Sequence, residues 1–195
     1  PNISERMRSS GKKTDFVDGM RVTDEHTLVL VEEELQKLND LIVDELQELG
    51  VKAIGLNGKD NKLIEAEKKK AKIDLGRVGN IKSINTELLT DELKKDKVLV
   101  VLPMGVGSDK KAYNVNADEA SASIASGLGA EKLVLLTNVK GIMRNPEDPH
   151  SFLSTLSIGE AEDLIKNNVI QQGMIPKVKA CIEALSGKVK KTHII

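Results

Sequence analysis

Val98-Leu-Val-Val-Leu102 is an unbroken aliphatic row, and it limits the fold more than any other segment. Successive side chains of a strand point to opposite faces, so a strand that is apolar at every position needs cover on both. The middle of a parallel sheet flanked by helices provides that cover. Val51 to Leu56 and Leu133 to Leu136 are short apolar strands of the same kind, and Thr192 to Ile195 begins another. Helical patterns lie between them. Leu28, Val31, Leu35, Leu38, Ile42, Leu46 and Leu49 recur at three- and four-residue steps, opened by Thr23 or Asp24 as a cap and closed by Gly50. One helix of that length, ending in Gly and a strand, fits packing on a sheet better than a coiled-coil seam. Asn85 can cap a helix through Lys95. Asn116 can cap a helix of small residues from Ala117 to Leu128, and two more helices run from Ser157 to Asn167 and from Met174 to Ser186. The alternation predicts an α/β sandwich with a mainly parallel sheet. Two charged stretches interrupt it and read as exposed β-hairpins. They are the strand pair Lys62 to Glu67 and Lys72 to Ile84, with a turn at Lys68, Lys69 and Lys70, and the stretch Gly105 to Tyr113. The first residues read as a helix from Asn2 to Ser9 and a Gly11-to-Asp15 turn, and no repeat or linker marks a second domain.

Composition removes several classes of function. Lys and Arg number 29 against 30 Asp and Glu, a formal net charge of -1, which argues against a general nucleic-acid or anionic-membrane binder. One cysteine, Cys181, excludes an internal disulfide, and with the scattered His26, His150 and His193 it leaves no structural zinc set. Phe16, Tyr113 and Phe152 are too few for a base-stacking platform. No apolar run reaches the ~18 residues of a membrane span and no signal core opens the chain, so a soluble, cytoplasmic domain is expected. Familiar motifs also fail. Gly58-Lys59 lacks the earlier glycine of a P-loop, and Asp60 stands where a magnesium-holding Ser or Thr belongs. Gly105-Val106-Gly107 does not open a helix, and there is no G-x-S-x-G elbow.

Polar residues remain where an α/β fold builds its sites, at strand ends and helix starts. Tyr113-Asn114-Val115-Asn116-Ala117-Asp118 holds more polar side chains than one helix cap needs, although ordinary capping accounts for Asn116. Lys177 follows Pro176 in the first turn of a helix, where the dipole favours anions and a cation gains nothing. The placement makes sense with an anion bound between its ammonium and the backbone N–H groups. Arg21 is a lone arginine beside Gly19, suited to a bidentate grip on a carboxylate, although taken alone an ordinary solvent-facing arginine is the favoured reading.

Together the segments resemble the amino-acid kinase superfamily and, within it, the acetylglutamate kinase family. The resemblance rests on Phe16-Val-Asp-Gly-Met-Arg-Val-Thr-Asp24, Gly55-Leu-Asn-Gly-Lys-Asp60, Asp74-Leu-Gly-Arg-Val-Gly79, Tyr113-Asn-Val-Asn-Ala-Asp118, Leu136-Thr-Asn-Val-Lys-Gly-Ile142, Gly173-Met-Ile-Pro-Lys-Val178 and His193-Ile-Ile195, in order along the chain. It implies a three-layer αβα sandwich and transfer of the ATP γ-phosphoryl group to the side-chain carboxylate of N-acetyl-L-glutamate, a step of arginine biosynthesis. Arg21 and Asn114 are similar to substrate-binding residues, Lys177 to a phosphate-clamping lysine, and Asp118 to a carboxylate that orders the active-site lysines. Thr137, Asn138, Val139, Lys140, Gly141 and Ile142, with Val169, Ile170 and Gln171, resemble a nucleotide-binding segment, so ATP is expected, with Mg²⁺ carried by the nucleotide. An acceptor carboxylate is already ionised at neutral pH, so the chemistry needs charge cancellation and no general base.

The resemblance also implies one kinase domain, with roughly 1–115 serving the acyl-amino-acid substrate and 116–195 the nucleotide. It further implies that an N-terminal Lys-x-Gly-Gly turn and a Gly-Gly-Gly loop would precede Pro1, and that the family's chain would continue past Ile195. The family assembles as homodimers or larger rings, so a homo-oligomer is expected. The Leu-rich helix is one candidate surface for it, and burial of that helix on its own sheet is the competing use. Asn138 stands where the family has Asp, Asn168 and Gln172 where it has Gly, and the long helix lacks a usual Gly near Asn39. A carrier-linked aminoadipate or glutamate kinase of lysine biosynthesis, and a catalytically silent ligand-binding paralogue, share much of this pattern and stay open.

Overall fold

The computed structural model describes residues 2–9, 11, 15–17, 20–145, 147–171 and 173–195. Lys12, Lys13 and Thr14 of the expected turn, and Pro1, Asp18, Gly19 and Gln172, lie outside them. The chain divides into two compact units, Pro1–Ala120 and Ser121–Ile195.

The first unit opens with α1 (Asn2–Ser9), the two-residue strands β1 (Phe16–Val17) and β2 (Met20–Arg21), and the long α2 (Glu25–Glu48). Asp24 starts α2: its carboxylate accepts from the Thr27 N–H at 2.6 Å, satisfying a first-turn donor that the helix cannot. Gly50, at φ +80°, ends it. The apolar stripe then divides. Leu28 and Val31 bury against Leu102 and Met104, with Leu35 packed on them. Leu38, Leu41, Ile42 and Leu49 face outward and stay exposed.

α2 packs on β3 (Ala53–Asn57) and β6 (Val98–Leu102), which pair in parallel from Ala53↔Val98 to Asn57↔Leu102. α3 (Thr86–Leu93), capped by the Asn85 carboxamide, also packs on β6. β6 is less enclosed than its composition predicts. Val98 is 44% exposed and only Leu102 is fully buried, because among the described residues β3 alone pairs with it.

The two hairpins are not separate exposed excursions. β4 (Ile64–Lys68) and β5 (Val78–Ile84) pair antiparallel, as do β7 (Met104–Val106) and β8 (Ala112–Val115). Parallel pairings at Glu65↔Val106 and Val78↔Asn114 then join the hairpins into a closed ring in the order β4-β5-β8-β7. Ile64, Ala66, Val78, Met104, Tyr113 and Val115 of these strands are buried. The closeness of the strands needs glycine: a Cβ at Gly105 would stand 2.7 Å from that of Ala66, and one at Gly79 2.8 Å from that of Tyr113. β5 also begins later than expected. The Asp74 carboxylate accepts from the Gly76 N–H at 2.8 Å, and Gly76 turns at φ +71°, so residues 69–77 are a loop.

α4 (Ala117–Leu128) leads into the second unit, where β9 (Lys132–Leu135) and β10 (Lys191–Ile194) pair in parallel. Ala122, Ala125, Leu133, Leu135, Ala180, Cys181, Ala184 and Val189 form one core. Cys181 is therefore a packing residue. α5 (Ile158–Lys166) has a capping box, Ser157 and Glu160 each bonding the other's backbone N–H, and buries Ala161 and Leu164 beside Val178 of α6 (Met174–Ser186). The α/β class with parallel strand pairs is as the sequence predicts. None of the described helices is long and apolar enough to cross a membrane.

Candidate functional site

In the first unit, Arg21 and Asn114 line one cavity of about 230 Å³ with Asn116 and Ala117 at the start of α4. Ile3 of α1 and Val31 of α2 contribute apolar wall. The Arg21 guanidinium lies over the Phe16 ring, 4.7 Å from its centroid, and donates to Ser4 Oγ at 3.0 Å and Met7 Sδ at 3.3 Å. Burial pushes its pKa below the ordinary arginine value, and among the described residues no carboxylate offsets that loss of hydration. A guanidinium stays charged even so, which leaves a partly dehydrated cation on a cavity wall. Such a group suits a ligand carboxylate.

Asn114 is held at both ends. Its backbone N–H donates to the Arg77 carbonyl at 2.8 Å, and its Nδ2 donates to Thr23 Oγ1 at 3.3 Å. Asn116 is the helix cap it was expected to be, accepting from the Glu119 N–H at 3.0 Å. Asp118, in the first turn of α4, is half-buried and not on the cavity wall. Glu119 beside it pairs with Lys69 of the hairpin loop at 3.1 Å.

Behind this wall, the strap from Asp74 to Arg77 crosses Thr23. The Thr23 N–H donates to Leu75 O at 3.0 Å, and its carbonyl accepts from the Arg77 N–H at 2.6 Å. A Cβ at Gly76 would overlap the Thr23 carbonyl oxygen, so the crossing requires glycine. Arg77 pairs with Glu25 and lies 6.0 Å from the Tyr113 ring centroid, while the Tyr113 hydroxyl donates to Asp109 at 2.9 Å. Burial, and then that bond to Asp109, raise the Tyr113 pKa.

In the second unit, a cavity of about 670 Å³ is lined by Thr137, Asn138, Val139, Gly141 and Ile142, by Val169, Ile170 and Gln171, and by Lys177. All but Lys140 of the expected nucleotide segment is there; the Lys140 side chain is exposed and off the wall. Val139 is half-exposed and turns an apolar surface to the space. Lys177 sits in the first turn of α6, whose N-cap, Gly173, has no side chain to satisfy the opening N–H groups. Asn168 adopts φ +56°, and its carbonyl accepts from Gln171 Nε2 at 2.6 Å, which fixes the turn beneath. Met143, Gly173 and Met174 also line this cavity, with no chemical signature that would mark them in sequence. His26, His150 and His193 are all exposed.

The model of the amino acid kinase family matches residues 2–195. An acetylglutamate kinase of Petrotoga mobilis is 46% identical over 196 residues, matching all of this chain and 66% of its own length. One from Moorella thermoacetica is 44% identical over 205 residues, with 69% of its length matched. The chain thus spans about two thirds of these curated relatives. Among solved structures, the smu.665 protein of Streptococcus mutans UA159 superposes with a TM-score of 0.91 at 26% identity, covering 99% of this chain and 77% of that one. N-acetylglutamate synthase of Neisseria gonorrhoeae, complexed with coenzyme A and N-acetyl-glutamate, gives a TM-score of 0.85 at 24% identity, covering 99% of this chain and 44% of that one. That likeness is one of fold.

Proposed function

The chain belongs to the amino acid kinase family, and from that premise we propose that it serves transfer of the ATP γ-phosphoryl group to the side-chain carboxylate of N-acetyl-L-glutamate. The product is N-acetyl-L-glutamyl 5-phosphate, an intermediate of arginine biosynthesis. The observation that carries the reading is the joint presence of Arg21 and Asn114 on one cavity wall, in a chain whose relatives are named acetylglutamate kinase. Arg21 would grip a substrate carboxylate through its planar fork, partly dehydrated and stacked on Phe16. Asn114 would orient the acyl-amino end.

The second cavity has the features a nucleotide needs: apolar wall at Val139 and Ile142 for a base, and, beside Lys177, a helix start with no side-chain cap for phosphate. When bound there, MgATP would supply the transferable phosphoryl group, with Mg²⁺ carried on its phosphates. Lys177 would offset the charge that builds as two anions approach, and removing such a contact typically raises a barrier by about 3–4 kcal/mol. Asp118 acts as an orienting carboxylate, since an ionised acceptor gives it no proton to remove. The reading brings with it a cytoplasmic setting and a homo-oligomer. The exposed Leu38, Leu41 and Ile42 on α2 support a second copy as partner.

Calorimetric titration of the chain with N-acetyl-L-glutamate and with ATP tests the assignment, and a coupled ADP-release assay follows turnover. Binding of both ligands is expected. ATP binding with no response to N-acetyl-L-glutamate refutes the substrate, and response to a carrier-linked acceptor alone replaces it.

A further inference from the structure

Thr23 is fully buried and polar, and no ligand-binding or catalytic role attaches to it in the reading above. It is not the cap of α2, which Asp24 supplies. All its polar groups are committed. The N–H and the carbonyl bind the strap at Leu75 and Arg77. The hydroxyl lies 2.8 Å from the Arg21 carbonyl and 3.3 Å from Asn114 Nδ2. A carbonyl can only accept, so the single hydroxyl hydrogen points at Arg21. Toward Asn114 the same oxygen can then only accept, and the carboxamide must turn its NH₂ inward. That leaves the Asn114 carbonyl oxygen and its second N–H for whatever occupies the cavity. One hydroxyl therefore sets the backbone of Arg21 and the polarity of Asn114 together.

From this geometry we infer that Thr23 is a positioning residue for the acyl-amino-acid site, fixing which atoms Asn114 offers to the ligand. The inference rests on the N-acetyl-L-glutamate reading. Thr23→Val keeps the shape and removes the hydroxyl; Thr23→Ser keeps the hydroxyl. Calorimetry on the chain, with N-acetyl-L-glutamate and ATP titrated separately, distinguishes the outcomes. Thr23→Val is expected to weaken N-acetyl-L-glutamate binding at least about tenfold, the scale of one lost hydrogen bond with a buried partner left unmatched. ATP affinity should stay within about twofold, and Thr23→Ser should restore acyl-glutamate binding to within about threefold, because each retains the groups its ligand meets. Unchanged N-acetyl-L-glutamate affinity in Thr23→Val overturns the inference and leaves the substrate reading standing. So does a folded Thr23→Ser that fails as Thr23→Val does. An unsubstituted chain that binds ATP and no N-acetyl-L-glutamate overturns the substrate reading, and this inference with it. If Thr23→Val does not fold, proton NMR of the unsubstituted chain decides: a nuclear Overhauser contact between the Asn114 NH₂ and the Thr23 methyl is expected, and its absence refutes the orientation.

Discussion

Gly76→Ala tests the strap that crosses Thr23, and the structure supplies its own control. Gly76 and Gly50 both have positive φ, +71° and +80°. A Cβ at Gly50 meets nothing within 4 Å, whereas one at Gly76 overlaps the carbonyl oxygen of Thr23. Gly50→Ala should therefore cost only the left-handed penalty of an L-residue, ~1–2 kcal/mol. Gly76→Ala adds a clash with backbone, which cannot swing aside as a side-chain tip can. Relief separates the strap from Thr23 and breaks the 2.6 Å bond from the Arg77 N–H and the 3.0 Å bond to Leu75. At ~1 kcal/mol net for each bond, the total reaches about 3–4 kcal/mol. Such a loss is a large part of the ~5–15 kcal/mol that holds a domain folded. With a urea slope of ~1–3 kcal/mol per molar, the midpoint should fall by at least about 1 M. The assay reports on the first unit alone, because Tyr113 is the sole tyrosine and the chain has no tryptophan. Its fluorescence follows the ring in which it is buried. Equal costs at Gly76 and Gly50 would refute the close crossing and remove the support on which Thr23 depends.

Arg21→Lys should weaken N-acetyl-L-glutamate binding by roughly tenfold or more, since an ammonium loses both the fork and the stacking on Phe16; calorimetry reads it. In turnover assays Lys177→Ala should lower kcat at least ~100-fold with an unchanged melting curve. Asn39 is 3% exposed, donates to the Val100 carbonyl at 2.7 Å and leaves its Oδ1 unpartnered. Asn39→Ala gives up the bond and also the orphan oxygen, so urea unfolding should register a change within ~1 kcal/mol, against about 2–4 for Leu28→Ala. Tyr113 titrates above its ordinary value of 10.0, so protonated tyrosine is favoured in the folded chain. The stability this provides is full below that value and is lost as pH rises through the folded pKa. Absorbance of tyrosinate should appear later in the folded chain than in urea, and coincident curves would contradict the burial.

Local chemistry was legible in the sequence where it is periodic or misplaced. The 3.6-residue stripe and the Asp24 cap locate α2, and Asn116 locates α4 from Ala117 to Leu128. Lys177 stood out because a cation in the first turn of a helix works against the dipole. What pairs across distance left no such trace. Nothing in the spacing of Glu65 and Val106, or of Val78 and Asn114, announces that they are neighbours, so the hairpins read as separate. Thr23 was hidden for the same reason. Beside Asp24 it reads as a helix cap, and its actual partners, Leu75, Arg77 and Asn114, lie far along the chain. The outward Leu38 and Ile42 belong to the same period as the buried Leu28 and Val31, and only the sheet beneath tells the two sets apart.

The closed ring has a kinetic consequence. Its hairpin contacts are local and can form as soon as each turn does. Its closure joins Glu65 to Val106 and Val78 to Asn114, with α3 and β6 threaded between, so the entropic barrier to folding this unit concentrates at those two seams. Asn114 stands on one of them. A ligand gripping Asn114 and Arg21 across the cavity would thus act as a clasp on the slowest contact to make. It should reveal itself less in how fast the chain folds than in how long the ring, once shut, stays shut.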